Sequence, residues 1–129
     1  MAAKIKLGNR PKNFKRTVEV GLPEGGTGKI GMVFTYRTRS EFGALIDKMI
    51  GGAAEIPVDE DSGRILQSAI IDHSIESNTE YVLQIAEGWD LDVEFSAESV
   101  RQLADELPGA LTAIISAYRE AVVDGRLGN

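Results

Sequence analysis

Residues 96–129, SAESVRQLADELPGALTAIISAYREAVVDGRLGN, admit little besides two helices joined near Pro108-Gly109. Ser96 is a natural N-cap, because its hydroxyl accepts from an amide of the first turn that has no partner within the helix, and Glu98 suits the positive end of the helix dipole. Phe95 before the cap and Val100 inside the helix have the spacing of a hydrophobic staple. Proline cannot continue this helix but fits the first turn of the next, so the second helix is expected to start at Pro108. Leu111, Ile114, Ile115, Tyr118 and Val122 then fall on one face, and Ala110, Ala113, Ala117 and Ala121 form a row of small residues beside them. A helix with both stripes is expected to pack on two sides, and Gly125 is a natural stop.

The N-terminal part has a different texture. Residues 1–12 read as a flexible arm punctuated by Gly8 and Pro11. Thr17–Val20 and Ile30–Tyr36 are rich in β-branched and aromatic residues, with Met32, Phe34 and Tyr36 alternating with smaller ones, so residues 13–38 are expected to form a β-hairpin. Between its strands lies GLPEGGTGK, which reads as a long, mobile connector with Gly25 and Gly26 at its centre. Its length suggests an interaction loop. It is not a phosphate-binding loop: Pro23 stands where the first glycine of the pattern belongs, Ile30 stands where Ser or Thr is required, and a strand follows in place of a helix.

From residue 39 onward the chain reads as mainly helical. Ser40 is expected to cap a helix that presents Phe42, Leu45, Ile46, Met49 and Ile50, and Gly51-Gly52 ends it. Asp59, Asp61 and Gly63 begin like a calcium loop, but Gly63, Arg64 and Ile70 stand where ligand, glycine and glutamate are needed. Ile65, Leu66, Ala69, Ile70 and His73 fit a helical face, with a strand as the alternative. Ser77-Asn78-Thr79-Glu80 has capping-box spacing, so a further helix is expected to start there, carry Val82, Ile85, Ala86 and Trp89 on one side, and stop at Gly88. Asp90 to Phe95 alternate acidic and apolar residues, which suggests a short extended connector. The fold class is therefore α+β: an N-terminal antiparallel hairpin followed by four or five helices in a single domain of 129 residues.

Charge is divided along the chain. Residues 1–58 carry a net charge of +5 and residues 59–129 a net charge of −11. The first sixteen residues hold Lys4, Lys6, Arg10, Lys12, Lys15 and Arg16 and no acid. Such an arm can dock on its own body, on another copy or on an anionic partner. The acidic remainder repels phosphate and no aromatics interleave the cations, so nucleic acid is the less favoured partner and weak self-association the favoured one. No apolar run is long enough to cross a bilayer, and the N-terminus has no apolar segment of the secretory type.

Candidate chemistry is sparse. The absence of cysteine excludes a disulfide scaffold, thiolate metal sites and a thiol nucleophile. His73 is the only histidine, and a single ligand makes no metal site. No serine lies in a nucleophile elbow, and Asp90, Asp92 and Glu94 read as a solvated edge rather than as paired catalytic carboxylates. The expectation is a binding protein with no enzymatic activity, cofactor or metal, whose Trp89, Phe95 and Tyr118 serve the core.

Gly88-Trp89-Asp90, Phe95-Ser96, Leu103, Pro108-Gly109-Ala110, Ala113-Ile114, Ala117-Tyr118-Arg119, Ala121 and Gly128-Asn129 make one C-terminal pattern. That pattern resembles the tail assembly chaperones of long-tailed bacteriophages and prophages. The resemblance implies a non-enzymatic protein of the host-cell cytoplasm that binds the tail tape measure protein, keeps it soluble and helps recruit tail tube subunits, and that is absent from the mature virion. It also implies a longer product made by frameshifting near residues 125–129. Two other readings are a nucleic-acid-associated regulator using the basic arm and a structural component of the tail.

Overall fold

The computed structural model of the chain describes residues 7–8, 10–51 and 67–125, and the side chains of all of these except 50, 51 and 67–73. β1 (Asn13–Gly21) and β2 (Thr27–Thr35) form the hairpin, followed by α1 (Arg39–Gly51), α2 (Gln67–Ile85), β3 (Ala86–Trp89), α3 (Ala97–Glu106) and α4 (Ala110–Asp124). The three strands make one antiparallel sheet in the order β1-β2-β3, so the architecture is α+β as the sequence implies. Asp59, Asp61, Gly63, Arg64, Ile65 and Leu66 lie outside the described residues, as does the side chain of His73.

The hairpin follows from period-two alternation. Phe14, Val18 and Val20 on β1 and Ile30, Met32 and Phe34 on β2 are buried, and the register sets Phe14 opposite Phe34 and Val18 opposite Ile30. The connector is shorter and better organised than its glycine content suggests. The strands extend into both of its ends and leave only Leu22–Gly26. Within that turn the Gly25 amide donates to the Leu22 carbonyl at 3.0 Å and the Leu22 amide to the Gly26 carbonyl at 3.1 Å. Gly25 and Gly26 both have positive φ, at 97° and 75°, which is what the sequence there supplies.

α4 lies across the face made by the even-numbered residues of β1 and β2. Its Ala110, Leu111, Ile114, Tyr118, Ala121 and Val122 are buried, so both of its small and large stripes are used. Val82 and Ile85 of α2, Val100 of α3, and Phe42 and Leu45 of α1 complete the same core. The α3 start is as expected: the Ser96 hydroxyl accepts from the Ser99 amide while the Ser99 hydroxyl accepts from the Ser96 amide. Gly125 closes α4 at φ 74°.

Five local expectations are corrected. α1 is opened by Thr38 rather than Ser40, because the Thr38 hydroxyl accepts from the Glu41 amide and the Glu41 carboxylate accepts from the Thr38 amide. Ser77–Glu80 start no new helix; α2 runs through them to Ile85. The reason is packing, since Thr79 is 1% exposed and continues the inward stripe of Val82 and Ala86, which overrides the capping preference. Ala86–Trp89 leave the helix and pair with β2, Met32 against Trp89 and Phe34 against Ala86, so Gly88 is a strand residue and not a helix stop. The edge of β2 needs hydrogen-bond partners, and these residues supply them. Asp90–Phe95 bend back rather than extend, and the Trp89 indole N–H donates to the Val93 carbonyl at 2.8 Å across the bend. Pro108 precedes α4 instead of opening it, because Gly109, at φ 95°, is the N-cap residue.

β3 is fastened by a contact that requires glycine. The Asp90 amide donates to the Gly31 carbonyl at 3.0 Å, and the Asp90 carboxylate accepts from the Gly31 amide at 2.8 Å. A Cβ on Gly31 would stand 2.7 Å from Oδ2 of Asp90. Gly31→Ala is therefore expected to lose a charge-assisted bond and destabilise the protein by about 1–3 kcal/mol, despite the better strand propensity of alanine. In an Asp90→Ala background the same substitution should be neutral or slightly stabilising. Urea unfolding of the two single variants and the double variant checks this coupling, and additive costs would contradict it.

Candidate interaction surface

Tyr118 ties the helical layer to the sheet. Its ring lies 5.3 Å from that of Phe34, 5.7 Å from Phe42 and 6.1 Å from Phe14. Its hydroxyl donates to the Thr35 carbonyl at 2.9 Å and accepts from Arg37 Nη1 at 3.1 Å. The site residues of the Gly88-Trp89-Asp90 string also have defined places. Trp89 meets Phe95 edge to face at 5.0 Å, Gly88 pairs with Val33, and Asp90 holds Gly31. Ala110 is buried at the start of α4, whereas Pro108 and Gly109 are exposed in the turn before it. Asn129 lies outside the described residues.

The basic arm is partly engaged by its own body. Arg10 forks onto Glu41 at 2.8 and 3.3 Å, and Arg16 reaches Glu120 at 3.2 Å and the Ala117 carbonyl at 3.3 Å. The hydrogen bond from the Thr38 amide holds the Glu41 carboxyl below its ordinary pKa, desolvation opposes it, and the Arg10 charge adds to the lowering. Lys12 and Lys15 are exposed, and Lys4 and Lys6 lie outside the described residues. The structure thus brings Arg10 and Arg16 to separate carboxylates and gathers no cationic patch from them.

The opposite charge is gathered. Residues 74–106 hold nine carboxylates and one arginine, a net of −8, and all nine carboxylates are exposed. The arginine, Arg101, is bound to Glu76 at 2.6 Å, joining α3 to α2. Beside this surface α2, α3 and the start of α4 enclose a groove of about 440 Å³. Ile75, Ala104 and Leu111 give it an apolar lining, Asn78, Asp105 and Thr112 its polar rim, and the Pro108-Gly109 turn one end. Sequence reasoning missed this groove. Pro108 and Gly109 mark the chain reversal there, but the walls come from three helices and no local pattern joins them. A more open depression lies between α1 and α4 at Phe42, Ile46 and Val123.

Among the described residues, no group of three or more His, Cys, Asp or Glu side chains is placed to hold a metal ion. Among the same residues no helix is long and apolar enough to cross a membrane. These features define a small α+β protein with an acidic helical surface beside an apolar-lined groove. The family model for phage tail assembly chaperones matches residues 1–129, the whole chain, and the chain belongs to that family. No curated protein and no solved structure matches it.

Burial pushes the Tyr118 phenol above its ordinary pKa, with Arg37 opposing, and burial raises Tyr81 likewise, with Arg119 opposing. A phenol whose folded pKa is raised contributes stability that is whole below about pH 10 and is lost as pH rises through the folded value. Tyr118→Phe should cost about 1–2 kcal/mol at neutral pH, since the Thr35 carbonyl loses its donor. It should also flatten the alkaline decline, leaving only the Tyr81 part of the tyrosine contribution. Urea midpoints of both proteins between about pH 8 and about pH 11 check the sign.

Proposed function

We propose that this chain is a non-enzymatic chaperone of the host-cell cytoplasm that binds the tail tape measure protein, keeps it soluble and helps recruit tail tube subunits. The observation that carries the reading is the match to the tail assembly chaperone family along the full chain. A tape measure is a very long, largely helical chain that exposes apolar stripes until the tube encloses it. Such a client needs many weak, displaceable contacts rather than one tight one. An acidic surface supports that use, because like charge keeps nucleic acid away.

Co-expression with the longest coding sequence beside its own in the genome tests the proposal. The expected outcome is that the long partner becomes soluble and co-purifies. A partner that stays insoluble and unbound beside a well-folded chaperone would overturn it. Mass analysis of purified virions should find no copy of this chain; a stoichiometric copy would instead favour a structural tail component. The regulator reading predicts duplex DNA binding with a steep salt dependence, whereas the anisotropy of a labelled duplex should stay flat here at low salt.

A further inference from the structure

Trp89, Leu91, Val93 and Phe95 are the apolar residues of the bend that follows β3, and each is left partly open to water, Val93 to 53%. A single exposed apolar side chain is ordinary, but here they alternate along one short bend and include the chain's only tryptophan. The bend is held at both ends. Asp90 fastens its start to Gly31, and the Ser99 hydroxyl donates to the Glu94 carbonyl at 2.6 Å near its end. Across the middle the Trp89 indole N–H reaches the Val93 carbonyl at 2.8 Å, and the Trp89 and Phe95 rings meet at 5.0 Å. A patch fixed in this way loses little freedom when a partner covers it.

The surroundings of the patch have one sign. Residues 86–100 hold Glu87, Asp90, Asp92, Glu94 and Glu98, all exposed, and no lysine or arginine. Among the described residues the Asp90 carboxylate is bonded to Gly31, and the other four enter no ion pair. A tryptophan-centred apolar patch with an acidic rim is complementary to an apolar anchor flanked by cations.

We propose that the Trp89–Phe95 bend is a docking surface for a basic amphipathic segment of another protein. An apolar side chain of that segment covers Val93 and the edge of the Trp89–Phe95 pair, while its lysines or arginines face Asp92 and Glu94. Apolar burial holds the segment and charge steers it there. The surface shares no residue with the groove between α2, α3 and α4. It selects a segment by chemistry, whereas co-expression tests which protein supplies one, so this proposal and the tape measure role fail independently.

The lone tryptophan reports occupancy directly. Full-length protein is titrated at low salt with a synthetic helical peptide that carries leucines at i, i+3, i+4 and i+7, lysines elsewhere and no tryptophan. The expected result is a saturable blue shift of Trp89 emission that fades as the screening length falls to about 10 Å near 0.1 M salt. Val93→Asp, and separately Asp92→Lys with Glu94→Lys, should each raise the half-saturation concentration about tenfold or more. Asp105→Lys with Glu106→Lys changes the net charge equally but away from the bend, and should raise it far less. A peptide with serine for leucine, or glutamate for lysine, should give no shift. Each of these results would overturn the proposal: emission unchanged by the peptide, equal losses from the two charge-reversed pairs, or an equal shift with the serine peptide. Binding that emerges only in a Lys4→Glu, Lys6→Glu chain would make the protein's own arm the occupant, and a shift with protein concentration alone would make it another copy; either overturns the proposal too. Matching far-UV circular dichroism and thermal midpoints among the variants keeps a folding defect from passing as a lost contact.

Discussion

Burial of the Tyr118 ring with a satisfied hydroxyl is the condition on which the remaining structure rests. A two-stranded hairpin is at best marginally stable in water, and β1 and β2 become a sheet because α4 covers their apolar face while β3 pairs with the edge of β2. Tyr118 is where that cover is fixed in register. Its ring meets Phe14 and Phe34 from the sheet and Phe42 from α1, and its hydroxyl reaches the Thr35 carbonyl at the end of β2. A phenylalanine would fill the same space but leave that carbonyl without its donor. Edge and tilted ring contacts add orientation to burial, so helix and hairpin meet at one rotation rather than over a range.

The parts of the fold that were legible in the sequence are those set by neighbours in the chain. Ser96 with Phe95 and Val100, the Leu111 to Val122 stripe, and the alternation from Phe14 to Phe34 each point to one structure because local chemistry and burial agree. The failures occurred where a distant partner decided. Ala86–Trp89 has helical spacing with Val82 and Ile85, yet it is a strand because the edge of β2 lies beside it. Ser77–Glu80 looks like a cap, yet Thr79 faces inward and the helix continues. Thr38 and Glu41 carry the same capping chemistry expected of Ser40, displaced by two residues, and the bond from Glu41 back to the Thr38 amide decides between them.

The candidate site was less legible than the fold for a related reason. Gly88, Trp89, Asp90, Phe95 and Tyr118 stand out as a pattern, and the structure engages each of them in internal contacts. Pro108 and Gly109 belong to the same pattern but are exposed, at one end of a groove whose lining comes from Ile75, Ala104 and Leu111. Those three residues are each unremarkable in their own helix. Their juxtaposition depends on α3 reversing into α4 and on the shared core of Val82, Ile85, Val100 and Ile114 that packs the three helices together, neither of which any single helix encodes.

Charge separation gives this arrangement its working character. Arg10 and Arg16 are drawn onto Glu41 and Glu120, so part of the basic N-terminus is spent within the molecule, while the nine carboxylates of residues 74–106 face water with one arginine among them. The Arg10–Glu41 pair is exposed on both sides and contributes little to stability, whereas the Arg16 side chain is largely buried against α4. The groove is small and open, lined by Ile75, Ala104 and Leu111 with Asn78, Asp105 and Thr112 at its rim, so a contact of that size buries little area. On the proposed role that small size is useful: a client held at many such contacts stays soluble through their number, and each contact can be replaced in turn as tube subunits arrive. A deep, tight pocket would hold a client more firmly and release it more slowly, and release is the step that assembly requires.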